Sequence, residues 1–350
     1  MVVGGGTPDT NNHKYWNGDI QWFTPSEIGR DKYVTNSLRT ISEEGLNKSS
    51  AKLLPIGTIL LSSRATVGEC SINKVECTTN QGFQSLIPKE YFSKEFVFYL
   101  MQTKRKELIR KSCGSTFLEI SANEVRKIKI AVPTSKEQEK ISKLLALLDE
   151  RISTQNKIIE DLKKLKSTIS KKLLDNDRWT THKIQDIAKI GRGRVISSVE
   201  IERQKHPLYP VYSSQTSNDG IMGYLDDYMF DGEYITWTTD GANAGTVFYR
   251  KGKFNCTNVC GTLKIQPKYD CYFVSLVLQQ ATQKYVSFNL ANPKLMNNIM
   301  ASIKIKMPDI EMQKQLSKIF QTLDSCLLVH QRTCDMYSRE KQYLLCQMFI

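Results

Sequence analysis

The sequence contains no apolar run of the about 18 unbroken residues that cross a membrane. It also lacks, near its N-terminus, the basic segment followed by an apolar stretch that marks a secretion signal. Both absences favour a soluble protein. We therefore expect a cytoplasmic location and no membrane partner.

Close cysteine pairs of the kind that bind zinc are missing as well. None of the nine cysteines forms a CxxC motif, and the tightest spacing, Cys256 to Cys260, is looser. The four histidines are scattered along the chain. Without a secretion signal the thiols should be reduced. We expect plain buried thiols and no metal site.

Catalytic motifs are the third absence. The sequence has neither GxxxxGK[ST] nor GxGxxG, so the opening glycines Gly4–Gly6 are not expected to form a nucleotide-binding loop. It has no GxSxG, no Asn-Pro-Pro-aromatic signature of amino-methyltransferases and no carboxylate pair at a nuclease-like spacing. These absences favour a binding and assembly role over an enzyme.

Positive charge, by contrast, is abundant, with a formal net charge of +13. An excess of this size favours a polyanionic partner, with nucleic acid first and an anionic membrane second. The alternative is a generally basic surface without a specific partner.

An internal repeat is the strongest feature of the chain. KIKIAVPTSKEQEKISKLLALLD (127–149) aligns without a gap on SIKIKMPDIEMQKQLSKIFQTLD (302–324), at an offset of 175 residues. Pro133 falls on Pro308 and Gln138 on Gln313. Each copy predicts a strand with alternating isoleucines, then a proline at a helix entry, then a helix.

Both helices continue as heptad seams with the same 4-3 spacing, which calls for a partner helix, most simply the other copy. The first seam reads Ile141, Leu145, Leu148, Ile152, Gln155, Ile159, Leu162, Lys166, Ile169 and Leu173. The second reads Leu316, Phe320, Leu323, Leu327, His330, Cys334, Tyr337, Lys341, Leu344 and Met348.

Polar residues interrupt the two seams at matching positions, Gln155 with His330 and Lys166 with Lys341. They either fix the register of the helix pair or lie at frayed or snorkelling positions. His330 is therefore read as a seam residue, not as a ligand or a base. At about 1.5 Å per residue each helix spans roughly 55 Å. That length matches about one to one and a half turns of duplex DNA at ~3.4 Å per base pair.

Before each helix lies a variable, strand-rich region whose polar and basic loop residues are candidates for DNA contact. Amide and hydroxyl side chains read base edges, and arginine reads guanine. The alternatives are local loop hydrogen bonds and, for the basic end of the helix-like segment 91–111, pairing with the helix dipole. The candidates are Thr7, Arg64, Thr66, Asn80, Gln81, Lys104, Arg105, Arg192, Arg194, Ser214, Gln215, Asn218 and Arg250.

Over nearly its whole length the chain resembles the specificity (S) subunit of type I restriction–modification enzymes. The resemblance rests on GGGTPDTNNHKYWNGDIQWFTPSEI (4–28), IGTILLSSRATVGE (56–69), TTNQGFQSLIP (78–88), the helix PTSKEQEKISKLLALLDERI (133–152) and EKQYLLCQMFI (340–350).

The resemblance implies two target recognition domains that each read half of a split DNA site, held apart by two antiparallel helices. It implies a chain without catalytic activity of its own. Its partners would be double-stranded DNA, two adenine-N6 methyltransferase subunits that use S-adenosylmethionine, and restriction subunits that translocate DNA with ATP. No cofactor is expected in this chain.

One stretch of the second domain, WTTHKIQDIAKI (179–190), has no counterpart in the first. Aligning Ile190–Gly191 with Val3–Gly4 leaves this lead-in missing, so we expect the first domain to be short at its N-terminus. Gly4–Gly6 then corresponds to the Gly191–Arg194 loop, and we expect its glycines to supply φ freedom and close backbone approach.

We therefore predict an α+β fold with a pseudo-twofold repeat. Two strand-rich recognition domains, 1–133 and 176–308, are each followed by a long helix, 134–175 and 309–350, and the helices pack as an antiparallel coiled coil. The alternative function is a coiled-coil adaptor whose globules bind proteins. An intrinsic nuclease or methyltransferase is disfavoured by the missing motifs.

Overall fold

The computed structural model describes residues 1–114, 118–173, 178–287 and 292–349. The chain divides into two units. Unit 1 holds residues 1–156 and 332–350, and unit 2 holds residues 157–331. Each unit therefore contains part of both long helices. Within the described ranges, no helix is both long and apolar enough to cross a bilayer.

The described residues of unit 1 form eight strands, and four short α-helices precede the first long helix. The strands are β1 (Val2–Gly4), β2 (Trp16–Phe23), β3 (Tyr33–Val34), β4 (Arg39–Ile41), β5 (Ile59–Leu61), β6 (Cys70–Asn73), β7 (Cys77–Thr79) and β8 (Gln84–Leu86). The helices are α1 (Glu43–Asn47), α2 (Lys94–Thr103), α3 (Arg105–Arg110), α4 (Ala122–Arg126) and the long α5 (Ser135–Leu173), whose second half belongs to unit 2.

Unit 2 has nine strands in the part of the chain that the structure describes, and its last helix is again long. The strands are β9 (Thr180–Lys183), β10 (Ala188–Arg192), β11 (Tyr209–Tyr212), β12 (Ile221–Leu225), β13 (Glu233–Thr238), β14 (Val247–Lys251), β15 (Asn255–Cys256), β16 (Cys260–Ile265) and β17 (Lys304–Met307). The helices are α6 (Ile184–Ile187), α7 (Ser198–Glu202), α8 (Cys271–Ala281), α9 (Asn297–Ser302) and α10 (Ile310–Met348).

The sheets of the two units share one strand order, except that, among the described strands, β3 at the edge of the larger unit 1 sheet has no counterpart in unit 2. In unit 1 the order is β1-β8-β5-β6-β3 in one sheet and β4-β2-β7 in the other. In unit 2 it is β10-β16-β13-β14 and β12-β11-β15. The central strand of each three-stranded sheet pairs antiparallel on one side and parallel on the other. The predicted repeat of two strand-rich regions with long helices is thus confirmed.

Strand pairing also shows how the two opening strands align. Val3 pairs with Ser85, and Gly191 pairs with Thr262. The neighbouring Leu86 pairs with Ile59 of β5, and Leu263 pairs with Ile235 of β13. Val3 therefore corresponds to Gly191, one residue away from the alignment predicted from sequence, because ladder hydrogen bonds rather than glycine positions define the register.

A buried glutamine fastens the start of each long helix to its unit. Gln138 accepts a hydrogen bond from the backbone of Ser93 (2.9 Å) and donates to Pro133 O (3.0 Å). Gln313 accepts from the backbone of Asp270 (3.0 Å) and donates to Pro308 O (2.8 Å). Ser93 and Asp270 are the N-caps of α2 and α8. The repeated proline–glutamine spacing therefore encodes the same joint twice.

The seam lysines are paired, which rules out fraying at these two positions. Lys341 Nζ lies 2.6 Å from Asp149 Oδ1 in unit 1, and Lys166 forms the matching ion pair with Asp324 in unit 2. A tyrosine completes each cluster, because Tyr99 and Tyr272 donate to these aspartates at 2.6 Å.

Burial follows the predicted seams along both helices. Of the described seam side chains, Leu145, Leu148, Ile159, Leu316, Phe320 and Cys334 are buried and the others are half-buried. In unit 1 the first half of α5 and the last turns of α10 pack on the same core, which includes Leu145 and Leu345. In unit 2 Leu316 and Phe320 lie in the main core, and Ile169 packs against it.

Candidate nucleic-acid interface

The opening glycines of unit 1 lie against the turn that follows β7. Gly6 N donates to Thr79 O (2.8 Å), and a Cβ on Gly5 would collide with the carbonyl oxygens of Thr79 and Asn80. Close backbone approach is confirmed as the reason for glycine here. The expected φ freedom is not, because none of Gly4–Gly6 has a positive φ.

This close packing brings three of the predicted contact residues together. Thr7 Oγ1 donates to Gln81 Oε1, and Asn80 Oδ1 accepts from Gly82 N (2.9 Å). Gln81 is exposed, whereas Thr7 and Asn80 are half-buried. The result is a polar rim at the end of β7, with one amide side chain presented to solvent.

Arg64 and Thr66 lie on a tight turn next to that rim. Ser63 N donates to Gly82 O (2.8 Å), which ties the turn to the end of β7. Ala65 at its tip has a φ of 58°, a left-handed conformation that L-residues rarely adopt. Arg64 Nε lies 2.8 Å from Glu119 Oε1. The guanidinium is thus half-exposed and oriented by a carboxylate.

Lys104 and Arg105 lie where the predicted helix 91–111 breaks into α2 and α3. Arg105 Nη2 contacts Glu69 Oε1 at 3.1 Å, and Glu69 N donates to Thr66 O at 3.0 Å. The contacts of unit 1 therefore connect Arg105, through Glu69, to the Arg64 turn. The basic end of the predicted helix is part of the same surface.

Arg39 is a basic residue of this unit that sequence reasoning missed. Its guanidinium stacks 3.5 Å from the ring centre of Trp16, and Trp22 packs edge-on against Trp16. Trp22 Nε1 donates to Gly6 O (2.9 Å), which joins this cluster to the glycine loop. The two tryptophans within WNGDIQWF were the available signal, because exposed arginines stack on such rings.

In unit 2, Arg192 and Arg194 both engage carboxylates. Arg192 Nη2 contacts Thr239 Oγ1 (2.9 Å) and Asp240 Oδ2 (3.1 Å). Arg194 forms a two-pronged pair with Glu200. The hydrogen bond from Arg194 lowers the pKa of Glu200, and Glu200 in turn raises that of Arg194. Both guanidinium groups keep partial exposure at the end of β10.

Arg250, predicted as a DNA contact, is instead buried, with its side chain 3% exposed. Its Nη1 and Nη2 donate to Asp219 Oδ2 and Asp219 O, both at 2.7 Å, and its guanidinium stacks 3.6 Å from the Tyr212 ring centre. In this arrangement the side chain supports a loop and does not reach solvent.

The supported loop carries the other candidates, Ser214, Gln215 and Asn218. Asn218 is exposed with a φ of 49°, and Gln215 donates to Ile221 O. Ser214 O accepts from Asn243 Nδ2 (3.3 Å), which joins the loop to the turn after β13. Buried Arg250 thus fixes a short polar loop whose tip is open to solvent.

The buried cysteines differ from these polar and basic surfaces in their chemistry. Burial raises the pKa of the Cys70, Cys77 and Cys271 thiols to about 12. Such thiols stay protonated at neutral pH and are poor nucleophiles and ligands. Within the described ranges, no three His, Cys, Asp or Glu side chains cluster as a metal site would require.

Comparison with known families gives two matches that follow the internal repeat. The family described as Type I restriction modification DNA specificity domain matches residues 2–164 and residues 176–334. The two matched stretches together cover most of the chain.

Individual relatives are named as type I specificity subunits. The MjaIX specificity subunit of a type I restriction enzyme from Methanocaldococcus jannaschii is 39% identical over 168 residues, 47% of this chain and 39% of that subunit. A type I specificity subunit from Mycoplasma pneumoniae is 36% identical over 241 residues, 66% of this chain and 89% of the relative. The chain thus spans about two fifths of the archaeal relative and most of the bacterial one.

Solved structures share the fold. The S subunit of a type I restriction–modification system from M. genitalium gives a TM-score of 0.68 at 17% identity, over 98% of this chain and 99% of that one. A chain from work on complex assembly in a type I system gives 0.62 at 13% identity, over 99% and 94%.

Proposed function

The chain belongs to the family of type I restriction–modification DNA specificity subunits, and we propose that each of its units reads one half of a bipartite DNA site. One observation carries the proposal. Equivalent strands of both units end in adjoining polar and basic loops, around Gly4–Thr7 in unit 1 and around Arg192–Arg194 in unit 2. Two copies of one scaffold with different loops suit the reading of two different sequences.

Within each unit, base reading falls to the exposed side chains on and beside these loops. In unit 1 these are Gln81, Arg64 and the stacked Arg39. In unit 2 they are Arg192, Arg194 and Asn218, with Arg250 as a support for the Asn218 loop. Arginines and amides of this kind make direct contacts in the major groove. Lys104 and Arg105 hold phosphates, so the affinity for DNA should fall steeply with salt concentration.

The long helices set the distance between half-sites by pairing antiparallel along their seams. Supporting contacts come from both units: Asp149 with Lys341 and Asn156 with Cys334 in unit 1, and Lys166 with Asp324 in unit 2. In all three pairs the two residue numbers add up to the same total, as expected of antiparallel helices without a change of register.

The chain itself is non-catalytic and acts through partners. Two adenine-N6 methyltransferase subunits dock on it and supply the S-adenosylmethionine chemistry. Restriction and translocase subunits add the ATP-driven steps. The support is the family membership together with the relatives' names, which describe specificity subunits of restriction enzymes.

Paired insertions test the spacing role. Seven residues would be added between Gln155 and Asn156, and seven at the opposite point of the partner helix, between Cys334 and Asp335. Because a heptad preserves the seam, each helix lengthens by about 10 Å. That distance is close to three base pairs at ~3.4 Å each.

The variant would be expressed with its methyltransferase partners and the host methylome sequenced. We expect unchanged half-sites with a spacer longer by about three base pairs. A four-residue insertion near Leu165 alone is the control, because it shifts one seam out of phase and should change the preferred spacer or abolish methylation. Methylation by the paired variant at the original spacer would refute the ruler.

A further inference from the structure

The strand predicted before each long helix forms in unit 2, as β17, but the prediction is wrong for unit 1, where the described segment Lys129–Val132 is not a strand. In unit 2, β17 pairs antiparallel with β9, from Lys304 opposite Lys183 to Met307 opposite Thr180. The repeat places Lys129–Val132 at the equivalent position of unit 1. Among the residues that the structure describes, no strand pairs with this segment.

The apolar side chains of the unpaired segment are more exposed than those of β17. Ile130 and Val132 are 42% and 36% exposed, whereas their counterparts Ile305 and Met307 are 2% and 1% exposed. The two segments share a pattern, Ile-Lys-Ile followed by one variable residue, an apolar residue and proline. The difference in exposure therefore comes from the residues that cover each segment and not from the sequences of the segments themselves.

Unit 2 shows what covers such an edge. β9 leads into α6, whose Ile184 and Ile187 are fully buried in the main core. Ile184 N donates to Ile303 O (3.0 Å), which continues the ladder. Ahead of β9, Trp179 packs edge-on against Phe273. The covering segment thus combines backbone pairing with three apolar anchors.

We propose that Lys129–Val132 is an acceptor edge for an extended segment of the Trp179–Ile187 kind, paired in the antiparallel register of unit 2. The occupant has a strand of four residues followed by one helical turn with two buried aliphatic side chains. Backbone hydrogen bonds supply its affinity, and the apolar anchors supply its specificity. This inference does not depend on DNA reading.

The opening strand shows where such a segment would join unit 1. Because Val3 corresponds to Gly191, Met1 corresponds to Lys189. The Met1 amino group donates to Ile87 O (2.6 Å), so the pairing of β1 with β8 continues through Met1. An amide at this position can donate the same bond. Residues placed immediately before Met1 can therefore follow the path that Trp179–Ala188 takes in unit 2.

The test uses the full chain with WTTHKIQDIA placed directly before Met1. A scrambled extension of the same composition is the matched control. Amide hydrogen exchange of Lys129–Val132 should slow by at least about tenfold with the designed extension only. Thermal unfolding of unit 1 should shift upwards by several degrees. Equal exchange with the two extensions would overturn the proposal.

A second variant tests the edge itself. Ile130→Lys should leave the unextended chain unchanged, because this side chain is already exposed, but it should remove the protection that the designed extension gives. A synthetic peptide of residues 178–191 provides the same test in trans and should protect the edge of the unaltered chain only.

Two results would contradict the proposal. One is a lack of protection by both the extension and a saturating concentration of the peptide. The other is a dimer of the unextended chain in which Lys129–Val132 is protected and which Ile130→Lys disrupts, because the occupant would then be a second copy.

Discussion

Two equivalent segments of similar sequence, 128–132 and 303–307, adopt different structures in the two units. Ile303–Met307 lies in a core, whereas Ile130 and Val132 face solvent at the equivalent positions of unit 1. Local propensity cannot account for the difference, because both segments alternate in the same way. A strand's burial is set by what pairs with it and packs on it.

The joints to the long helices show the opposite behaviour. Gln138 and Gln313 are both 2% exposed and make the same bonds to a proline carbonyl and an N-cap amide. The strand sequence is repeated but its environment is not, whereas the glutamine is repeated together with its whole environment. Substitutions at equivalent positions should therefore have unequal effects at the strand and equal effects at the joint.

The largest effect is expected from placing lysine at the two equivalent isoleucines, Ile305 and Ile130. Ile305→Lys would leave an unpaired charge in the core of unit 2 and should cost about 3–5 kcal/mol. Ile130→Lys should stay within about 0.5 kcal/mol, since it changes an exposed side chain. Urea unfolding followed by hydrogen exchange in each unit measures both. Equal losses would contradict the difference in burial.

Alanine at the two joints should give the next largest effect. Gln138→Ala and Gln313→Ala each leave a buried amide and a carbonyl unpaired. Each variant should lower the free energy of unfolding by about 2 kcal/mol. The loss should appear in unit 1 for the first variant and in unit 2 for the second. Urea titrations read by unit-specific exchange check this. A loss at one joint only would show that the devices are not equivalent.

A smaller effect is expected at the seam ion pairs. Lys166→Met and Lys341→Met should each cost about 1 kcal/mol, because the pairs are half-buried and partly screened. Unit 1 should lose less, since Lys32 donates to Tyr99 (3.1 Å) beside Asp149 and supplies a second cation.

Double-mutant cycles with Asp324→Asn and Asp149→Asn measure the coupling in each unit. Burial, followed by the hydrogen bonds to these aspartates, raises the pKa of Tyr99 and Tyr272, so both phenols stay donors near neutral pH. A stronger coupling in unit 1 would be evidence against the role of Lys32.

The smallest effect on stability is expected at the exposed arginines. Arg64→Ala and Arg192→Ala should each change unfolding by about 0.5 kcal/mol or less. For DNA binding by the assembled complex, a lost phosphate contact lowers the salt slope by about one, whereas a lost base contact costs about 1–3 kcal/mol at one position. Titrations at several salt concentrations separate these outcomes. Unchanged binding would remove both residues from the interface.

The long helices and their seams were predictable because a 3.5-residue period is written locally in the sequence. The described helices run over Ser135–Leu173 and Ile310–Met348, within two residues of the predicted bounds. Likewise, the shared proline and glutamine predicted a common structure, although not that the glutamine reaches back to an N-cap.

Features that depend on distant strands could not be predicted. Arg250 reads as a free basic residue in sequence, yet it is buried beneath the loop that it holds. The stacking of Arg39 on Trp16 depends on the pairing of β2 with β4. The one-residue error at the opening strand had the same origin, because glycines were aligned without knowledge of the ladder.

The central claim is that each unit reads its own half-site. It is tested most directly by replacing Arg192, Arg194 and Asn218 with alanine and sequencing the methylome of a host that carries the methyltransferase partners. We expect one half of the bipartite motif to change or relax, while the other half and the spacer stay the same. Changes in both halves, or in neither, would contradict independent reading by the two units.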